Sequence, residues 1–214
     1  MLSKLPLFKR KEAAAIKNIK AMLIQCPESY VACSWGKQSI ILTHMAYKIQ
    51  KSIHVVFFSE PDSELITDFN NVKNIFLQQW AINYFDILNN TGDIRKHASV
   101  FMQKHKLTGV IMGLAACESK GRRITLSLAN QDNIYKYSNG KFRCCPLRHW
   151  TEMDCASYIA KYNLPVLNIY KKFGFYSRTS AGVTLGTHAE CGIDNLPSSV
   201  QAEIRYRRKN INAF

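Results

Sequence analysis

The sequence predicts a single α/β domain, a mainly parallel sheet flanked by helices. Three observations carry this. Short apolar runs of strand character alternate with helical segments along the chain. A loop rich in serine and glycine, Ser34 to Ser39, stands between the first such run and the helix after it. No linker, repeat or low-complexity stretch divides the 214 residues.

The elements follow in order. Residues 10–25 are rich in Ala and Lys and read as a helix. Tyr30–Cys33 is a short apolar strand, and residues 37–50 form a helix with Ile40, Ile41, Met45 and Ile49 on its apolar face. Ile53–Glu60 is a buried strand, dominated by β-branched and aromatic residues. Pro61-Asp62-Ser63 is a turn and cap signal for a helix running to Asn71. The run NIFLQQ, residues 74–79, is a third strand candidate. Asp93–His105 is helical, and Leu107–Ala115 is a strand that ends in a loop. Residues 133–147 read as a hairpin turning at Asn139-Gly140. Thr151–Tyr162 is a helix capped by Thr151 and Asp154, stopped by Leu164-Pro165. The chain divides into an N-terminal helix (1–28), an α/β body (29–176) and a basic C-terminal segment (177–214).

Composition narrows the class. At 47% hydrophobic residues the chain can bury a core. No apolar run approaches the roughly 20 residues that cross a bilayer, and the N-terminus lacks a signal-peptide pattern. A cytoplasmic protein without a membrane partner is expected. The seven cysteines are odd in number and contain no C-x-x-C, which argues against a disulfide framework, a four-cysteine zinc site and an iron–sulfur cluster. The net charge of +14 favours polyanionic partners. Its densest cluster, Ile204–Asn210, is either a solvated face or a surface for nucleic acid.

Ser34–Ser39 holds the residues a phosphate site needs. Gly36 lets the backbone approach an anion, Ser34 and Ser39 offer hydroxyl donors, Lys37 adds charge, and the next helix adds free N–H groups. It is not a Walker A loop, because Val31 stands at the first glycine position and Gln38 follows Lys37.

The segment SWGKQS resembles the S-x-G-K-D-S pyrophosphate loop of the adenine nucleotide α-hydrolase group. GLAACES with Arg122, and residues 146–175 (PLRHWTEMDCASYIAKYNLPVLNIYKKFGF), are similar to segments of one branch, the phosphoadenosine phosphosulfate (PAPS) reductase family. The resemblance implies a Rossmann-like, HUP-type sheet binding an adenosine nucleotide. It implies phosphate or sulfate contacts from Ser34, Gly36, Lys37 and Ser39, anion contacts from Arg122, Arg123 and Arg143, and Glu118 and Ser119 as further nucleotide-binding residues, with Glu118 orienting one of those arginines. Tyr170 and Gly174 would shape the pocket mouth, while Trp150, Asp154 and Tyr158 pack and cap.

The sequence departs from the family pattern at three places. Trp35 and Gln38 replace a small and an acidic loop residue; the lost carboxylate weakens a case for magnesium-assisted ATP cleavage. Ala115 stands where the family carries arginine. The C-terminal E-C-G-[LI]-H motif is present as Glu190-Cys191-Gly192-Ile193 followed by Asp194. By resemblance, Cys191 is the nucleophile that takes sulfur from PAPS or adenosine phosphosulfate, with thioredoxin or glutaredoxin as reductant. A thiolate there would be favoured by Arg178 or Arg205. Two alternatives stay open: an ATP- and magnesium-dependent adenylating enzyme that modifies nucleic acid, and a regulator without catalysis. The sequence allows a homodimer and does not decide it.

Overall fold

The computed structural model describes residues 2–59, 66–89, 93–118, 120–128 and 134–173. Six strands form one sheet: β1 (Ser29–Ala32), β2 (His54–Ser59), β3 (Asn83–Leu88), β4 (Gly109–Met112), β5 (Ile134–Lys136) and β6 (Phe142–Cys144). Their order is β3-β2-β1-β4-β6-β5. All neighbours are parallel except β5 and β6, the hairpin. The order reverses at β1. From it the chain steps outward through β2 to β3, then returns to place β4 on the other side, so a crevice opens where β1 and β4 end.

Seven α-helices are described: α1 (Pro6–Gln25), α2 (Lys37–Ile49), α3 (Ile66–Gln79), α4 (Ile94–Lys104), α5 (Lys120–Leu128), α6 (Glu152–Tyr162) and α7 (Asn168–Phe173). α1 joins the main core through Phe8, Ala15, Ile19 and Met22, a helical spacing that lays one stripe inward. The side chains of α2 are buried from Lys37 through Tyr47, so it is a central helix. Val31, Val55, Ile111 and Cys144, one per strand across the sheet, face this core. A smaller cluster around Tyr30, Val56, Phe58 and Phe101 fills the opposite face under α4. Gly109 is required where β4 meets α1: a Cβ there would stand 2.5 Å from Met22 Cε and 2.8 Å from Cys26 Sγ.

One expected strand is corrected. NIFLQQ belongs to α3, because Phe69, Val72 and Phe76 are buried at helical spacing. The third strand is instead Asn83–Leu88, at the sheet edge, where exposed and half-buried residues intermix and no continuous apolar run marks it. Local signals were honoured elsewhere. Asp93 caps α4 by accepting from the amides of Arg95 and Lys96. Thr151 and Asp154 form the reciprocal capping box of α6. Among the described residues no helix is long and apolar enough to cross a membrane.

Candidate functional site

The turn from β1 to α2 builds the site. Trp35 takes a φ of +56°, the left-handed region that bulky residues avoid. Its fully buried indole compensates, meeting the rings of Phe76 at 5.6 Å and Tyr84 at 5.7 Å. The kink swings Gly36 into the N-cap position of α2. Ser39 Oγ donates to the Gly36 carbonyl at 2.9 Å and lies 3.4 Å from Ser34 Oγ. Both hydroxyls are thus gathered at the positive end of a helix, beside amides with no intrahelical acceptor.

A cavity of about 280 Å³ opens there. Ser34, Gly36, Gln38 and Ser39 form one wall, with Cys33 and the β2 residues Val56, Phe57 and Phe58 behind them. Met112, Gly113 and Leu114 form the opposite wall, continued by Glu118 and Arg122. Gly113 permits this closeness, since a Cβ on it would lie 3.0 Å from the Gln38 carbonyl carbon. Glu118 accepts from the Ala115 amide at 3.1 Å and from Arg122, one helical turn away. The cavity therefore has an apolar floor and a rim of hydroxyls, one guanidinium and its carboxylate.

The expected site residues separate. Ser34, Gly36, Ser39, Glu118 and Arg122 line the cavity together. Lys37 does not. Its side chain is buried against Glu152, which is not among the cavity-lining residues. Arg123 is exposed on α5 and off the cavity wall. Arg143 sits within β6 with its guanidinium 4.7 Å from the Tyr135 ring and 5.0 Å from the Tyr137 ring. Ser119, Gly174, Arg178, Cys191, Arg205 and the basic cluster 204–210 lie outside the described residues. Sequence reasoning missed Cys33, Gln38 and the β2 residues as cavity walls. Proximity to the loop would have flagged Gln38; the β2 wall follows from strand order.

Thiol chemistry near the cavity is damped. Burial pushes the Cys33 thiol up, against hydrogen bonds from Thr43, Trp35 and Ser39 that pull it down. Cys117 is exposed as a residue, but desolvation around its thiol, which donates to the Trp150 carbonyl, with Glu152 and Glu118 adding to it, takes it to about 11. Burial also takes Cys145 to about 11 despite Arg143, Arg148 and Arg122. These three are protonated near neutrality and are poor nucleophiles.

A mostly parallel sheet with a serine–glycine loop and helix N-terminus at its switch point defines an α/β protein of the nucleotide-binding class. Within that class the chain belongs to the phosphoadenosine phosphosulfate reductase domain family, whose model matches residues 70–178. It is 27% identical over 161 residues to an adenosine 5'-phosphosulfate reductase of Shouchella clausii, covering 63% of this chain. The chain spans 62% of that relative's length. Its fold is similar to that of the phosphoadenylyl-sulfate reductase of Candida auris, solved as a phosphate complex: TM-score 0.61, 14% identity, 81% of this chain and 90% of that one. The FMN adenylyltransferase of Candida glabrata shares the fold as well, with TM-score 0.64, 14% identity and coverage of 94% and 80%. At such identities the two structures speak for the fold alone.

Proposed function

We propose that this chain binds an adenosine sulfonucleotide and reduces it, through the thiol of Cys191, to sulfite and the parent nucleotide. The observation that carries the reading is the cavity at the β1–β4 switch, rimmed by Ser34, Gly36, Ser39 and Arg122, in a member of this family. The helix N-terminus and the two hydroxyls suit the phosphate–sulfate end. The apolar floor of Val56, Phe57 and Phe58 suits a base. Gln38 in place of an acid suits an anion held without a metal.

The chemistry balances as follows. The Cys191 thiolate attacks the sulfate sulfur. A sulfur–sulfur bond forms, and the bond from sulfur to the phosphate oxygen breaks. The nucleotide leaves with that electron pair. A dithiol such as thioredoxin or glutaredoxin then attacks the Cys191 sulfur, sulfite departs, and the second thiol closes a disulfide that frees Cys191. The dithiol supplies both electrons. The protonated state of Cys33, Cys117 and Cys145 supports assigning the nucleophile elsewhere.

Calorimetric titration with adenosine 3',5'-bisphosphate, adenosine 5'-phosphosulfate and ATP, with and without magnesium, tests the binding. A sulfite-release assay on the native chain and on Cys191→Ser tests the reaction. Metal-free binding, with sulfite release abolished in the variant, is expected. Preference for magnesium–ATP, with no sulfite from either protein, would overturn the reading in favour of adenylation. Binding without turnover of any nucleotide would overturn it in favour of a regulator.

A further inference from the structure

Lys37 opens α2 directly after Gly36, the place from which a lysine would reach a bound anion. Its ammonium instead lies 2.8 Å from the carboxylate of Glu152, the first residue of α6. Both side chains are shielded, at 2% and 13% exposure. The same ammonium stands 5.2 Å from the ring centroid of Tyr170 on α7, and the Lys37 backbone amide donates to the Tyr170 hydroxyl at 3.2 Å. Main chain and side chain of one loop residue are therefore both tied to the 152–170 segment. The cavity walls include Gly36, Gln38 and Ser39 on either side of Lys37, but not Lys37 itself.

We propose that Lys37 is a positioning residue, locked by Glu152 and Tyr170, that fixes the Ser34–Ser39 loop and does not contact the anion of the ligand. Drawing the ammonium toward a ligand would break a shielded ion pair with Glu152, and separating a buried pair costs more than a solvated contact returns. The ligand's charge is met by Arg122, the serine hydroxyls and the N-terminus of α2. The inference rests on the nucleotide-site reading above.

The test uses the full chain and three variants: Lys37→Met, Glu152→Gln and the apolar pair Lys37→Met/Glu152→Met. Thermal unfolding and the dissociation constant for adenosine 5'-phosphosulfate are measured on each, the latter well below every melting point. Each single change should lower Tm by on the order of 10 °C, and the apolar pair should recover most of that. Glu152→Gln should bind roughly tenfold more weakly because its loop is no longer held, an effect that a purely structural role would not produce in folded protein. The apolar pair should bind within about threefold of the native chain. Loss of binding by about thirtyfold or more in the apolar pair would show that Lys37 contacts the anion, and tighter binding by Glu152→Gln would show that Glu152 competes with the ligand; either overturns the inference. If the apolar pair does not fold, reductive methylation of the native chain decides. Lys37 unmodified with and without nucleotide supports the lock, and modification relieved by nucleotide overturns it. A native chain that binds no nucleotide sinks the nucleotide reading and the positioning role with it. Failure of the variants in a chain that does bind sinks the positioning role alone.

Discussion

His44 Nδ1 and the Tyr158 hydroxyl stand 2.9 Å apart inside the core, where α2 crosses α6. Burial pulls the imidazole down to about 4, and Lys48 and Lys51 push in the same direction. Glu12 pulls the other way without reversing it. The ordinary histidine value is about 6.5, so between these limits the unfolded chain binds the extra proton and the folded chain does not. The contribution of this residue is therefore full above pH 6.5 and is lost as pH drops toward 4. After allowance for solvent screening the loss from this residue is about 2 kcal/mol. Urea unfolding from pH 7.5 to 4 should show that slope in the native chain, with His44→Gln flattening it. An equal slope in both would assign acid sensitivity to other groups.

Trp35 combines strain with burial. Removing its indole costs about 3–5 kcal/mol whichever small residue replaces it. The backbone at φ +56° then decides between replacements. Alanine pays the left-handed penalty and glycine does not, so Trp35→Gly should be more stable than Trp35→Ala by about 1 kcal/mol. Chemical denaturation of the two variants measures this directly. The reverse order would mean that the turn relaxes once the indole is gone.

These two sites show what the sequence could and could not reveal. Features with neighbouring partners were legible: the Thr151–Asp154 box, the Asn139-Gly140 hairpin and the Ser34–Ser39 loop. That Glu118 orients an arginine was legible; that the arginine is Arg122, at i,i+4, came from the structure. Features decided by tertiary packing were not. Residues 74–79 carry strand-like composition, but Phe69, Val72 and Phe76 bury a helical stripe and settle the matter. Arg143 looked equivalent to Arg122 until strand register set it opposite Tyr135. The pairing of Lys37 with Glu152 was not legible, because the two are remote in sequence.

Glu12 ties α1 to the C-terminal end of α6. Its buried carboxylate accepts from Lys161 Nζ at 2.8 and 2.9 Å and from the Tyr162 hydroxyl at 2.8 Å. Truncation strands the hydroxyl and removes a charge-assisted bond, so Glu12→Ala should lose about 2 kcal/mol. Lys161→Met should lose less than half of that, because the lysine side chain is 35% exposed and its pairing is screened. Equilibrium unfolding in urea compares the two. Equal losses would place the energy in the ion pair rather than in the buried carboxylate and its hydroxyl partner.

Arg122 and Arg123 are adjacent in sequence and opposite in placement. Arg122 lines the cavity beside Glu118, whereas Arg123 is exposed and off its walls. A guanidinium that meets an anion contributes charge-assisted bonds of about 1.5–3 kcal/mol, equivalent to roughly 10- to 100-fold in affinity. Arg122→Ala should therefore weaken adenosine 5'-phosphosulfate binding by that factor. Its side chain is 37% exposed and Glu118 keeps the Ala115 amide as donor, so its removal should lower the melting temperature less than breaking the Lys37–Glu152 pair does. Arg123→Ala should alter neither quantity, which makes it the internal control. Titration calorimetry on the two variants separates them. Equal weakening by both would mean that the site responds to the net charge of α5 and not to one positioned guanidinium.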